Sequence, residues 1–184
     1  MFNPTKKSFT SLSSREFEQY SLDILKEQTA ELEDVYFAHD KIMESHDGNY
    51  QIDGYIEFTV IDVRYKTLIE CKHYKSSITR EKVVLLHDKL KSLGAQKGIL
   101  ISTSNFQSGA MQYAEVHGIA LIQLTEAATS YELRESFNII TASGRKPFNY
   151  GKPYSGVLVT NDEHGISCSY LSRNNTKLSI FLLE

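Results

Sequence analysis

The chain has 184 residues, 41% of them hydrophobic and 23% charged, with a formal net charge of −3. This length predicts about one domain, the composition excludes a low-complexity chain, and no apolar run approaches the roughly 18 residues that crossing a membrane takes. Residues 1–14 lack the apolar segment of a secretion signal, so a reducing cytoplasm is the expected compartment; Cys71 and Cys168 alone predict no disulfide and exclude a zinc-finger ligand set.

The first predicted element is a helix over Ser13–Glu27, opened by Ser13 with Glu16 three residues on, the spacing of a capping box. At 100° per residue, Phe17, Tyr20, Leu22, Ile24 and Leu25 form one apolar arc. Glu18 falls inside it, between Leu25 and Leu22. A carboxylate there is costly unless it is paired, protonated or near a cation, or unless it sits at an edge that reaches water. An acidic stretch follows, with a strand expected at Val35–His39 and a loop around Asp47-Gly48. Two strand-like runs, Tyr50–Ile61 and Val63–Tyr74, meet in a tight connection near Ile61-Asp62.

A second helix is predicted from Thr79 to about Leu93, with Val83, Leu86, Leu90 and Leu93 on one face and Gly94 as C-cap. Gly98–Ser102 reads as a short buried strand. Asn105 can cap a helix over Phe106–His117, ended by Gly118, and Ile119–Leu124 is a second buried strand. The order implies a hairpin followed by right-handed parallel crossovers, hence a mixed sheet and an α/β class. Beyond it, Ala127–Phe137 reads as a short helix and Thr141–Pro153 as a loop. Tyr154–Thr160, Gly165–Leu171 and Lys177–Leu183 alternate like three short strands of a small C-terminal β-meander. The expected organisation is a core over residues 13–125 and an appendage over 126–184.

Charge is unevenly spread. Glu16–Asp62 holds thirteen acidic and two basic residues, whereas Val63–Lys97 holds nine basic and three acidic ones. A metal-holding pocket beside a phosphate-binding face fits this, and so do two solvated faces of opposite sign.

The chemistry concentrates in Gln51-Ile52-Asp53-Gly54 and Leu68-Ile69-Glu70-Cys71-Lys72. On a strand Glu70 and Lys72 share one face, Ile69 and Cys71 the other, and hairpin pairing would bring Asp53 alongside. Two carboxylates can hold a hard divalent cation, typically Mg²⁺, which acidifies a bound water and offsets charge on phosphorus. Lys72 can position or deprotonate that water, and burial near the metal is expected to lower its own pKa. The spacing alone equally allows a cross-strand ion pair. Lys75 and Arg80 are candidates for DNA backbone contact, His73 for phosphate. Ser102 and Thr103, which end a strand before a helix N-terminus, are phosphate candidates too; solvated surface or helix capping explains these positions as simply. Cys71 points away from the site and reads as a small core residue.

The run Gln51-Ile52-Asp53 to Glu57, with Ile69-Glu70-Cys71-Lys72-His73-Tyr74-Lys75, resembles the active-site strands of the Mrr-like restriction endonucleases, part of the PD-(D/E)xK nuclease superfamily. Glu16-Phe17-Glu18, the block from Leu93 to Ala110, Tyr113-Ala114 and His117 to Ile122 extend the resemblance over about residues 13–125. It implies a restriction-endonuclease-like core, a mixed β-sheet flanked by helices, and a metal-dependent endonuclease that hydrolyses DNA in restriction or phage defence. It further implies Asp53 and Glu70 as ligands of Mg²⁺, for which Mn²⁺ can substitute, and Lys72 as the residue assisting the attacking water. Glu18 would complete the site or support a second metal. Ile52 stands where the superfamily's nominal motif has proline. A nuclease-fold module that binds DNA or protein without cutting, and a structure-specific repair or junction nuclease, are the alternatives. Cutting both strands would take a homodimer or two sequential nicks.

Overall fold

The computed structural model describes residues 11–29, 32, 34–126, 154–162, 165–171 and 177–183. The helix expected over 127–137 and the loop over 141–153 lie outside them. Helix α1 spans Ser14–Gln28 with Ser13 as N-cap. The capping box is complete: the Glu16 N–H donates to Ser13 Oγ at 3.2 Å and the Ser13 N–H to Glu16 Oε2 at 2.8 Å. The predicted arc of Phe17, Tyr20, Leu22, Ile24 and Leu25 is buried.

Strands β1 (Tyr36–Ser45) and β2 (Gly48–Val60) form an antiparallel hairpin that closes at Ser45↔Gly48. β1 therefore runs well past the expected end at His39. Its acidic residues are tolerated because β1 is the first strand in the sheet order, and charge on an edge strand both stays solvated and opposes edge-to-edge association. β2 turns into β3 (Val63–Lys72) through Ile61-Asp62, both with positive φ, at 50° and 60°. That backbone matches the twist of a two-residue hairpin.

From β3 the chain makes two crossovers. Helix α2 (Arg80–Leu93), ended by Gly94 in the left-handed conformation, leads to β4 (Lys97–Ser102), and α3 (Ser108–Val116) leads to β5 (Ile119–Glu126). β3, β4 and β5 are parallel. β6 (Tyr154–Asp162) and β7 (Gly165–Tyr170) continue the same sheet antiparallel, giving the order β1 to β7. Helix α4 spans Lys177–Leu183. The core packs on both faces of this mixed sheet: α1 and α4 cover one, α2 and α3 the other. Among the described residues no helix is long and apolar enough to cross a membrane.

Two local expectations need correction. Asn105 does not cap α3, whose N-cap is Gln107. Phe106 is buried and bridges Ile78 in a parallel pair, which keeps residues 105–107 extended. The Asn105 carbonyl accepts the Ile78 N–H at 2.8 Å, and its Oδ1 accepts from Gln123 Nε2, also at 2.8 Å. The third strand of the expected meander is instead α4. A seven-residue apolar run carries no decisive periodicity. Leu178 and Leu182 are buried beneath the sheet while Ile180 between them is half exposed, which helical spacing satisfies and alternation, placing all three on one face, would not.

Ile61 is a β-branched residue held at positive φ with 92% of its surface exposed, so it bears strain with little packing in return. Ile61→Asn is expected to stabilise the protein by about 1 kcal/mol, since Asn tolerates this conformation. Urea unfolding would show a higher midpoint at unchanged slope; a lower midpoint would mean that the Ile61 side chain has a packing role.

Candidate active site

β2 and β3 pair from Val60↔Val63 up to Gly54↔Ile69, and there the ladder ends. One residue further along β2, Asp53 takes over: its Oδ2 accepts the Cys71 N–H at 2.8 Å. A side chain thus replaces a backbone partner where the two strands part. β1 is irregular at the same level, with Asp40 at φ 53° between the pairs His39↔Gly54 and Lys41↔Ile52. Side-chain alternation along β2 breaks here as well. Ile52 and Tyr55 both face α2 and α3, whereas Ile56 and Phe58 face α1.

Into this fork β3 delivers Glu70 and Lys72 from one face, as their spacing requires. Lys72 Nζ donates to Glu70 Oε2 at 2.7 Å and lies 3.8 Å from Asp53 Oδ2, so both carboxylates converge on one amine. Glu70 is buried, with 6% of its surface exposed. Its second oxygen, Oε1, accepts a hydrogen bond from Lys89 Nζ of α2, and Lys89 Nζ also donates to the Gln51 carbonyl at 3.1 Å. From the other face α1 brings Glu18, whose Oε2 lies 2.9 Å from His39 Nε2 of β1. The helix approaches closely because residue 54 is glycine: a Cβ there would sit 2.5 Å from Leu22 Cδ2 and 3.2 Å from Ile69 Cβ.

Burial raises the Asp53 pKa above its ordinary value, helped by the charges of Glu70 and Glu18 and opposed by the Cys71 N–H and Lys72. For Lys72 the expected lowering belongs to a site with a metal beside it; the protein's own groups raise the pKa instead. Burial does act downward, but the adjacent Glu70, with Asp53 adding, outweighs it and holds the ammonium form more firmly than in free lysine. Cys71 is buried in the α1-side core with its thiol pKa pushed up by burial, which leaves it an inert packing residue.

Oxygen donors suit a hard divalent cation, and Asp53 and Glu70 supply two carboxylates at one point. Among the described residues no group of three or more His, Cys, Asp or Glu side chains is gathered to hold a metal. A hard cation such as Mg²⁺ is commonly held by one or two carboxylates, with waters and substrate phosphate completing its shell, so this pair fits one without a full protein cage.

The remaining candidates divide. His73 stacks on Phe17, with ring centroids 5.3 Å apart. His73, Tyr74, Lys75, Thr103, Ser104 and Asn105 line a cleft of about 400 Å³ just past the ends of β3 and β4. Its walls are tied together by the Tyr74 carbonyl, which accepts from the hydroxyls of Thr103, at 2.9 Å, and Ser104. Lys75 and Arg80 are exposed, Arg80 lying over the Tyr113 ring. Ser102 is fully buried and its Oγ accepts the Ser104 N–H at 2.9 Å, so the expectation of a DNA contact there is withdrawn: the hydroxyl shapes the turn. Lys89 and His39 were not singled out from the sequence. Lys89 flanks the apolar arc of α2 beside Leu86 and Leu93, the kind of border position that marked Glu18 on α1.

The raised Asp53 pKa has a consequence for stability. When the folded pKa of an acid exceeds the unfolded one, the folded state is favoured at low pH, and that advantage is lost as pH rises through the folded pKa. Asp53→Asn, which can still accept the Cys71 N–H, is therefore expected to raise the Tm at pH 7 in chelating buffer. The gain should shrink as pH falls toward the ordinary aspartate range; a lower Tm at pH 7 would show that the Lys72 pairing outweighs desolvation.

A family model described as restriction endonuclease matches residues 9–130. No curated protein sequence matches the chain. Among solved structures it is similar to a crystallised protein of unknown function, AF1548, at 16% identity and TM-score 0.48, over 56% of this chain and 54% of that one. It is also similar to the DNA modification-dependent restriction endonuclease AspBHI, at 18% identity and TM-score 0.33, over 72% of this chain and 40% of that one. The chain thus spans about half of the first and less than half of the second. With its mixed sheet flanked by helices and its match over two thirds of its length, the chain belongs to the Mrr-like restriction endonuclease family.

Proposed function

We propose that this protein is a Mg²⁺-dependent endodeoxyribonuclease of restriction or phage defence, with Asp53, Glu70 and Lys72 as its reaction centre. The observation that carries the proposal is the convergence of both carboxylates on Lys72 Nζ, at 2.7 Å and 3.8 Å, where β2 leaves β3. Asp53 and Glu70 would hold the metal, Mg²⁺ or in its place Mn²⁺. Bound there, the ion would acidify a water and offset negative charge building on the phosphate.

Lys72, an ammonium between two carboxylates, orients the attacking water and the phosphate through its N–H donors. Its proton becomes easier to release as the charge of its carboxylate neighbours is offset. Glu18, close enough to Asp53 to raise its pKa, adds a further carboxylate beside the centre. The cleft past β3 and β4, with Lys75 and no acidic side chain among its lining residues, suits the sugar–phosphate backbone, and Arg80 extends this basic face. His73 and Thr103 border the same path. In this reading residues 13–125 carry the nuclease centre, and the segment 126–184, whose β6, β7 and α4 join the same sheet and core, selects substrate or pairs two copies. One centre cuts one strand, so a double-strand break calls for a homodimer or two nicks.

Purified protein with Mg²⁺ or Mn²⁺ is expected to cleave plasmid or linear DNA from a panel that includes methylated and unmethylated substrates. Asp53→Ala or Lys72→Ala should lower the rate at least about a hundredfold. Intact DNA across the whole panel would favour a non-cutting binding module, and cleavage confined to branched substrates a junction or repair nuclease.

Lys75→Ala is expected to weaken DNA binding in Ca²⁺ with little sequence preference. The slope of log affinity against log salt should fall by about one unit, as for the loss of one phosphate contact. An unchanged slope would place Lys75 outside the DNA path.

A further inference from the structure

Glu70 is the most buried carboxylate of the centre, and two lysines divide its oxygens. Lys72 Nζ donates to Oε2 at 2.7 Å, and Lys89 Nζ donates to Oε1. The two amines arrive from different elements. Lys72 shares a strand face with Glu70, whereas Lys89 comes from the third turn of α2, whose apolar residues Leu86, Leu90 and Leu93 are buried against the sheet. Lys89 is also anchored by the Gln51 carbonyl at 3.1 Å, two residues before Asp53. A single side chain thus ties the helix, the approach to Asp53 and the buried glutamate together.

We propose that Lys89 is a positioning residue of the reaction centre, fixing Glu70 through the oxygen that Lys72 leaves free and competing with a divalent cation for that oxygen. The inference rests on Glu70 being a cation ligand, as proposed above. Each Glu70 oxygen keeps a second lone pair beside its ammonium donor, so a metal ion can reach it, but against the charge of both lysines unless one of them moves away. Lys72 also faces Asp53, at 3.8 Å, and is held between two carboxylates. Lys89 has Glu70 as its only ion-pair partner among the described residues, and its second bond is to a neutral carbonyl. Lys89 is therefore the amine that yields, and its charge sets how tightly the centre binds a cation.

Competition and simple bracing predict opposite signs. If Lys89 only braced the fold, its removal would leave Glu70 poorly oriented and cation binding weaker. If it competes, removing one neighbouring positive charge strengthens binding, on the order of tenfold. Calorimetric titration of Ca²⁺ into wild type, Lys89→Met, Lys89→Gln and Lys89→Arg reads this without turnover. Lys89→Met keeps the aliphatic stem, Lys89→Gln keeps a donor should the first variant fold poorly, and Lys89→Arg keeps the charge.

Tighter binding in the two neutral variants, near wild-type binding in Lys89→Arg, and slower single-turnover cleavage in Lys89→Met at saturating Mg²⁺ that Lys89→Arg restores are the expected results. Wild type that binds Ca²⁺ with equal or weaker binding in both neutral variants would overturn the role of Lys89 and leave the proposed centre standing. Failure of every variant, and of wild type, to bind Ca²⁺ would overturn both.

Discussion

Strand β2 abandons β3 after Gly54, and the Cys71 N–H is taken up by the Asp53 carboxylate at 2.8 Å. A buried N–H without an acceptor is expensive, so the place where two paired strands separate needs a side chain to receive it. Asp53 meets that need and in doing so is drawn in between the strands, partly out of water. The rest of the centre follows from this placement. Lys72, next along β3 from Cys71, is brought beside the carboxylate, and Glu70 shares its face. The same hydrogen bond both closes the sheet and fixes one of the two proposed metal ligands.

The cost of this arrangement is electrostatic. Asp53, Glu70 and Glu18 lie near one another at the point where both helical layers reach the sheet, and only part of their charge is met by cations. Asp53 shows it in a raised pKa. A buried cluster of this kind contributes little net stability, because desolvation offsets most of the attraction between its members. The hydrophobic layers must supply the folding free energy: Phe17, Leu22 and Leu25 of α1 on one face, Val83, Leu86 and Leu90 of α2 on the other. Those two helices also carry the charged residues at the margins of the centre, Glu18 and Lys89. Apolar packing that holds a helix on the sheet thereby sets the position of a charge at its border.

Much of this was legible in the residue pattern, and the rest was hidden for identifiable reasons. The parity of Glu70 and Lys72 on a strand fixed their common face, and the capping box and Gly94 marked helix ends that the structure retains. Glu18 stood out because it interrupts an apolar arc, and it does lie beside Asp53. Lys89 gave a fainter sign, since a lysine bordering an apolar stripe normally extends its stem and keeps its ammonium in water. His39 was hidden for a different reason: its partner, Glu18, lies 21 residues away on another element, and nothing in the local pattern around His39 marks the pairing. Asn105 was read as a helix cap from residue type alone, but the burial of Phe106 against Ile78 extends the chain at that point and moves the helix start. In α4 a short apolar run fitted two periodicities, and only the exposure of Ile180 between the buried Leu178 and Leu182 separates them.

Lys72 shows how the sign of a pKa shift depends on which charges stand beside the group. Burial alone lowers a lysine pKa, but a carboxylate two residues away on the same strand face acts the other way. In the folded chain the Glu70 carboxylate, 2.7 Å away, overrides burial, so the amine stays protonated more firmly than in water. As an ammonium it is a donor: it can orient an oxygen of water or phosphate but cannot take up a proton. Basic behaviour requires that its carboxylate neighbours lose negative charge, which is what a shared cation would bring about. The acid–base character of Lys72 is therefore a property of the whole fork, set by whichever positive charge the two carboxylates are holding.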